Sequence, residues 1–425
     1  MQALEDLEWR GLVAQSTDRA ALALDLATKS VRFYVGFDPT APSLHMGNLV
    51  QLVTARRLQL AGHTPYLLVG GATGMIGDPR DSGERTLNSA ETVVEWTERL
   101  RAQVSRFVSF EGDNAARIVS NYDWTKDLSV LDFLRDIGKH FPVNRMLARE
   151  TVKRRLEAGI SYTEFSYVLL QSMDYLHLYR SEGVTLQHGA TDQWGNITAG
   201  AELIRRVTGG TAHAFVTPLI TKSDGTKYGK TEGGALWLDR DMFSPYDFYQ
   251  FWLNVEDAKV AELLRIFTFL THEEIVELER QTAEEAWKRA GHRALAREIT
   301  TLVHGAAETA HIEAAAAALF GGADLRTLDP GTLGAALSSA GTAHLSLADA
   351  PSIVDALVAT GLAKSNNEAR RMIGEGGAYL NNDRVTDPER ALTAADVIAD
   401  RWLVLRRGKK QMAGIDVSEP ATSAP

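Results

Sequence analysis

Residues 31–48 read Val-Arg-Phe-Tyr-Val-Gly-Phe-Asp-Pro-Thr-Ala-Pro-Ser-Leu-His-Met-Gly-Asn. The first eight are rich in β-branched and aromatic residues and predict a strand. Pro39 and Pro42 break it, and Ser43 predicts a cap for a helix over 44–61, closed by Gly62. A strand turning directly into a helix is the opening unit of a parallel sheet covered by helices. Such sheets bind ligands outside the carboxyl ends of their strands, so the turn 36–48 is where function is first sought. His45 and Asn48 lie three apart and share one face of the helix start. Gly47 lets a ligand approach the backbone, and helix N-terminal amides beside a histidine make an anion site. A capped helix with a partly buried histidine fits the same residues and, for the histidine taken alone, is the favoured reading.

Working outward, the alternation continues. Residues 64–70 predict a second strand, followed by a glycine-rich turn over 70–74. Residues 89–110 have helical spacing, with Val93, Val94, Leu100, Val104, Phe107 and Val108 on the apolar side. A third strand is expected over 116–124, a helix over 163–179, a strand over 184–189, a helix over 196–207 and a strand over 214–220. The expected fold class is α/β, a Rossmann-like parallel sheet over residues 1–220. Thr221 to Gly234 is polar and glycine-bearing and reads as a loop. Residues 221–320 are assigned to this loop and an α-helical domain, 321–350 to a linker with at most short helices, 351–418 to a small separate α+β unit and 419–425 to a disordered tail.

The 425-residue chain carries 45 Lys/Arg against 55 Asp/Glu, a net charge of −10. Such a balance does not mark a nucleic-acid binder, so any RNA partner needs a local basic surface. With no cysteine, a disulfide framework and a Cys-based zinc site are both excluded. The first residues lack the basic-then-apolar layout of a secretion signal, and no apolar run approaches membrane-spanning length. A cytoplasmic protein is the expectation.

Three further stretches carry chemistry. Lys227-Tyr-Gly-Lys-Thr231 sets two lysines around a glycine, suited to a leaving polyphosphate, though taken alone a solvated mobile loop is the favoured reading; it lacks the spacing of a P-loop. In Glu164 to Tyr175, the polar Tyr167, Gln171 and Asp174 recur at i, i+4 and i+7 on one helix face. That polar stripe lies inside an apolar segment, so it either faces water or is buried against a small polar ligand. Gln187-His-Gly-Ala-Thr-Asp-Gln-Trp-Gly-Asn196 is another strand end running into a helix; its Asp192 is suited to a ribose or to capping a turn.

Taken in order, these stretches closely resemble the bacterial tyrosyl-tRNA synthetases, class I enzymes, over essentially the whole chain. His45-Met-Gly-Asn48 resembles the HIGH motif and Lys227-Tyr-Gly-Lys-Thr231 resembles KMSKS. Tyr-Val-Gly-Phe-Asp-Pro-Thr from Tyr34 and Thr-Asp-Gln-Trp-Gly-Asn-Ile-Thr-Ala-Gly from Thr191 are specific to this branch. The resemblance implies activation of L-tyrosine by ATP and its transfer to the terminal ribose of tRNA(Tyr). It assigns Tyr34 and Asp174 to the substrate phenol, and Asp78, Tyr167 and Gln171 to its ammonium. It assigns Gly36, Asp38, Gly47, Asn48, Asp192 and Gln193 to the nucleotide, Thr40 and His45 to the γ-phosphate, and Lys227, Lys230 and Thr231 to pyrophosphate. Two departures, Asn48 for the second histidine of HIGH and Val35 where some relatives carry cysteine, leave the activity in place. Mg²⁺ is expected with ATP, without protein ligands of its own, and no tightly bound cofactor is expected. A homodimer is implied, formed through the apolar region Leu128 to Leu147.

The C-terminal part, from Gly361 through Val385, resembles the α-L RNA-binding motif of ribosomal proteins. Residues 361–410 hold ten Lys/Arg against seven Asp/Glu, a local positive excess in an acidic chain. Arg370, Arg371, Arg406, Arg407, Lys409 and Lys410 are the expected phosphate contacts of the tRNA. The helical segment 235–320 is expected to face the anticodon stem. A tryptophanyl enzyme is disfavoured because Tyr34 and Asp174 suit a phenol. A non-catalytic RNA-binding protein on this scaffold would not need His45, Lys227 and Lys230. A cofactor adenylyltransferase would not carry the C-terminal part.

Overall fold

The computed structural model describes residues 2–79, 88–223, 225–226, 228, 230–231, 234–321, 324–408 and 411–418. Two compact units are present: Met1–Met242 with Val255–Leu295, and Phe243–Asn254 with Ala296–Pro425. The first is built on six strands, β1 (Gln15–Ser16), β2 (Arg32–Phe37), β3 (Thr64–Val69), β4 (Arg117–Ser120), β5 (Leu186–Ala190) and β6 (His213–Thr217). Their order is β1-β6-β5-β2-β3-β4. All pairings are parallel except β1 with β6, which is antiparallel. The sheet is therefore mixed, with an edge strand before residue 31 that has too few residues to show a pattern in the sequence.

Strands β3, β5 and β6 are buried almost from end to end, as strands covered by helices on both faces must be. The strand order reverses at β2, which has β3 on one side and β5 on the other. Tyr34 stands opposite Tyr66 of β3 and Gln187 of β5. A reversal of this kind opens a crevice at the carboxyl ends of the strands.

The helix after β2 runs Met46–Leu60, and its N-cap is His45, not Ser43. The His45 Nδ1 accepts from the Gly47 amide at 3.0 Å, and the His45 amide donates to Asn48 Oδ1 at 3.0 Å. Leu44 is held extended, its amide on Gln103 Oε1 (2.8 Å) and its carbonyl on the Leu238 amide (2.9 Å). The helix cannot begin until that ladder ends. The helix expected over 89–110 is Ala90–Val104, and the third strand stops at Ser120, giving way to a helical turn, Tyr122–Thr125. The turn over 70–74 runs into a short helix, Thr73–Ile76. Within the lysine loop, β7 (Lys230–Thr231) pairs with β8 (Gly234–Ala235) as a small antiparallel ladder.

In the second unit, β9 (Thr342–His344), β10 (Ala378–Leu380), β11 (Asp383–Arg384), β12 (Trp402–Arg407) and β13 (Gln411–Asp416) form a sheet in the order β11-β10-β12-β13-β9. The stretch 321–350, expected as a linker, is corrected by this arrangement. It carries the eleven-residue helix Pro330–Ala340 and β9, which pairs parallel with β13. Asp329 caps that helix and Pro330 sits in its first turn. Its small-residue composition conceals an apolar face at i, i+3 and i+4, formed by the buried Leu333, Ala336 and Leu337. A Cβ at Gly414 of β13 would lie 2.9 Å from the Leu337 Cβ, so helix and sheet meet without space between them. The expected disordered tail 419–425 lies outside the described residues. Among the described residues, no helix is long and apolar enough to cross a membrane.

Leu337→Ala removes a fully buried side chain at this junction. The expected cost is about 2–5 kcal/mol in the unfolding of the second unit, read as a shifted urea transition of the full-length protein. An unchanged transition would return the stretch to linker status.

Candidate active site

The crevice at β2 and β5 is a cavity of about 830 Å³. Tyr34, Gly36, Asp38, Thr40, His45, Gly47, Asn48, Asp78, Tyr167, Gln171, Asp174, Asp192 and Gln193 all line it. Residues read from four separate stretches of sequence thus meet in one place. Of the lysine motif, Lys227 and Gly229 lie outside the described residues. Lys230 and Thr231 are placed by their backbone in β7.

At one end of the cavity stand Tyr34 and Asp174. Tyr34 is almost wholly buried, and its hydroxyl has no hydrogen-bond partner among the described residues. Its ring meets Tyr175 edge-on, centroids 5.3 Å apart. Asp174 is also buried, on the helix Tyr162–Glu182 that presents Tyr167, Gln171 and Asp174 to the cavity. The Asp174 carboxylate accepts from Asn121 Nδ2 and Trp124 Nε1, each at 2.9 Å. Burial pushes its pKa up to about 7 against the pull of those two bonds. Burial and the Asp174 charge raise the Tyr34 phenol well above its ordinary value, so it stays a donor.

The other carboxylates have their own partners. Asp38 accepts from the Tyr167 hydroxyl at 2.6 Å and from Thr73 Oγ1 at 2.6 Å. Asp78 accepts from Gln193 Nε2 at 2.7 Å and from Asn196 Nδ2 at 3.2 Å. Burial again raises the Asp78 pKa. The Gln171 Oε1 is buried without a partner.

At the opposite end stand His45 and the first turn of helix Met46–Leu60. An antiparallel bridge joins His45 to Trp237, the Met46 amide donates to the Leu236 carbonyl at 3.0 Å, and the two rings lie 6.1 Å apart. The chain leaving the lysine loop is thereby fastened beside His45. Behind this end, Gln51 donates to Thr217 Oγ1 at 2.7 Å, and its Oε1 lies 3.1 Å from His188 Nδ1. Burial holds the His188 pKa down at about 3, so the ring is neutral.

Several of these residues escaped sequence reading: Asn121, Trp124, Thr73, Gln51, His188, Asn196 and Trp237. Asn121 had a positional signal, since it follows the last residue of a parallel strand. Its Nδ2 serves Asp174 and also Thr73 Oγ1 (2.9 Å), while its Oδ1 takes the Ala72 amide at 2.7 Å. Trp124 carried only an aromatic at a strand end, and its ring stacks on His177 at 4.3 Å.

The basic residues of the second unit divide. Arg370 reaches Glu389 at 3.3 Å and Arg371 lies 3.9 Å from Glu375, both on the surface. Arg407 is tied to the Leu362 carbonyl (2.8 Å) and Glu368 (3.0 Å). Arg406 is a correction: it is buried, donates to Asn382 Oδ1 at 2.8 Å and lies over the Tyr379 ring, so it is committed to the protein and not to a phosphate. Lys409 and Lys410 lie outside the described residues.

A mixed, mostly parallel sheet with its cavity at the strand reversal, an HIGH-like helix start on one side and a lysine loop fastened beside it, has the plan of a class I aminoacyl-tRNA synthetase. The family model described as tRNA synthetases class I (W and Y) matches residues 26–321, and that of the tyrosine–tRNA ligase SYY-like C-terminal domain matches 337–415. The chain belongs to the tyrosine–tRNA ligase family. It is 57% identical over 418 residues to the tyrosine–tRNA ligase of Streptomyces coelicolor, covering 98% of this chain and 99% of that protein. To the tyrosine–tRNA ligase of Cutibacterium acnes it is 56% identical over 412 residues, covering 97% and 99%. Among solved structures, a C-terminally truncated mitochondrial tyrosyl-tRNA synthetase of Coccidioides posadasii matches with a TM-score of 0.66 and 30% identity. That match covers 73% of this chain and 91% of the other.

The raised pKa of Asp174 has a consequence for stability. Ionising it inside the protein costs more than in the unfolded chain. Its contribution to stability is therefore complete below the ordinary carboxylate range and is lost as pH rises to about 7. Asp174→Asn is expected to remove this slope, on the order of a few kcal/mol, when wild type and variant are compared by denaturant titration at each pH. Parallel curves would show that Asp174 ionises freely in the folded protein.

Proposed function

We propose that the cavity condenses L-tyrosine with ATP to tyrosyl-adenylate and pyrophosphate, and then transfers the tyrosyl group to the 3′-terminal ribose of tRNA(Tyr). The observation that carries this reading is the Tyr34 hydroxyl, buried without a partner in a cavity that it shares with Asp174. A substrate phenol accepts from Tyr34 and donates to Asp174. Phenylalanine leaves both groups unpartnered, at about 1–3 kcal/mol each.

The tyrosine carboxylate is the nucleophile. It attacks the α-phosphorus, the bond to the β,γ-diphosphate breaks, and pyrophosphate leaves. A ribose hydroxyl of the tRNA then attacks the tyrosyl carbonyl, and AMP leaves. No protein nucleophile is needed, so the residues work by positioning and by stabilising developing charge. Asp78, with Tyr167 and Gln171, holds the ammonium. Gly36, Asp38, Gly47, Asn48, Asp192 and Gln193 hold the nucleotide. Thr40, His45, Lys227, Lys230 and Thr231 take the charge that grows on the departing diphosphate. In this assignment Tyr167 acts partly through Asp38, to which its hydroxyl donates. Mg²⁺ would be held by the phosphates of ATP, where it would offset their charge, since among the described residues no cluster of three or more His, Asp or Glu could hold a metal ion.

Arg370 and Arg371, with Lys409 and Lys410, are the residues we assign to the tRNA backbone; Arg407 contributes only after releasing Glu368. We assign a homodimer to the apolar surface over Leu128 to Leu147, where Val130, Leu131 and Val143 are more than half exposed. A cytoplasmic location accords with the substrates.

His45→Ala should lower the rate of adenylate formation by orders of magnitude while changing tyrosine affinity little, because the charge it meets exists only in the transition state. Single-turnover kinetics with a separate binding titration read the two effects apart, and weaker tyrosine binding at an unchanged rate refutes the assignment. Tyr34→Phe should reduce discrimination against phenylalanine by about 2- to 12-fold, the equivalent of one hydrogen bond of 0.5–1.5 kcal/mol. Pyrophosphate exchange with each amino acid measures it.

A further inference from the structure

We propose that Arg149 is a positioning residue for the tyrosine ammonium site, acting through Asn196 to keep Asp78 oriented and ionised. The proposal rests on the reading of Asp78 given above. Arg149 precedes the helix Glu150–Arg155 and donates through Nη2 to Asn196 Oδ1. A guanidinium can only donate, so the oxygen of the Asn196 amide must face it. The amide nitrogen is then turned the other way, onto both Asp78 oxygens at 3.2 Å and onto Gln193 Oε1 at 3.1 Å. With its oxygen so occupied, Gln193 presents its nitrogen to Asp78 Oδ2 at 2.7 Å. The donor direction of every link is set from Arg149, and at its end Asp78 meets donors that favour the carboxylate form.

Two more observations fit this role. A Cβ on Gly195 would lie 3.0 Å from Arg149 Nη2, so the guanidinium lies close across the start of helix Trp194–Thr208. The charges around Asp78 also leave Arg149 as the compensating one. Burial and Asp38 raise the Asp78 pKa, whereas Gln193, Asn196 and Arg149 lower it. Tyr167, which senses the Asp78 charge, is neutral. Without Arg149, Asp78 takes up a proton at higher pH and loses its hold on a cationic amine.

The test uses the full-length protein and two probes, L-tyrosine and its analogue without the amino group, 3-(4-hydroxyphenyl)propionate. Equilibrium dialysis across a pH series gives the affinity of each. Arg149→Met should weaken L-tyrosine about tenfold at neutral pH and move the acid limb of its binding up by about one unit, a tenfold change being one pKa unit. Binding of the analogue should be unchanged, which also shows the variant folded. Arg149→Lys, which keeps the charge, should restore the limb. Equal weakening of both probes, or an unmoved limb in Arg149→Met, overturns the proposal. Asp78→Asn separates the two layers: if it leaves L-tyrosine affinity intact, the ammonium reading of Asp78 itself falls, whatever Arg149 does.

Discussion

A carboxylate inside a protein is unstable unless donors surround it, and Asp174 is such a group. Asn121 and Trp124 each give it one hydrogen bond, and these bonds reach it from beyond the end of β4. They hold the carboxylate in place but do not saturate it. Across the same cavity, the Tyr34 hydroxyl keeps its proton and makes no hydrogen bond of good geometry among the described residues, Gln187 opposite it on β5 being the side chain that acts on the phenol. Acceptor capacity on one side and a committed donor on the other define a hydroxyl by its absence. Any ring that lacks one leaves both groups stranded in a medium where stranding is costly. The sheet reversal at β2 matters because it brings a β2 side chain and a face of helix Tyr162–Glu182 into that relation.

Asp38, Asp78 and Asp174 all line one cavity, which alone would be strongly unfavourable. Each is neutralised locally and differently: Asp38 by hydroxyls from Thr73 and Tyr167, Asp78 by amides, Asp174 by an amide and an indole. Neutral donors stabilise a carboxylate without cancelling its charge, and an amino acid's ammonium needs that charge. Asp78 has a cation linked to it through one side chain, Arg149 by way of Asn196. Carboxylates at one end and helix amides at the other give the cavity an electrostatic direction.

The parts of this arrangement legible in the sequence share one property: they are local. Strand-then-helix alternation, the i, i+4, i+7 stripe of Tyr167, Gln171 and Asp174, and the two strand-end motifs each lie in one short window. The resemblance to a known family then joined windows that spacing alone could not. What was not legible depends on contacts across the fold. The cap at His45 instead of Ser43 follows from Leu44 being pinned by Gln103 and Leu238, residues 59 and 194 positions away. The helix Pro330–Ala340 was hidden because glycine, serine and threonine lower its apparent propensity, while three buried apolar side chains are enough to dock it. Arg406 looked like a surface cation because charge counts do not register burial. Asn121 and Trp124 have no motif, since their role exists only once β4 ends beside helix Tyr162–Glu182.

The link between His45 and the chain leaving the lysine loop bears on how the two signature motifs act together. Leu236 and Leu238 hydrogen-bond to the backbone on either side of His45, in extended conformation, and Trp237 bridges to it directly. Backbone bonds of this kind persist whatever the side chains do. β8 ends at Ala235, so the anchored segment begins one residue after the small β7–β8 ladder that carries Lys230. The two bonds at Leu236 and Leu238 fix the chain at the edge of that ladder. The chain that carries Lys230 is therefore fastened, through backbone bonds alone, to the residues on either side of the His45 cap.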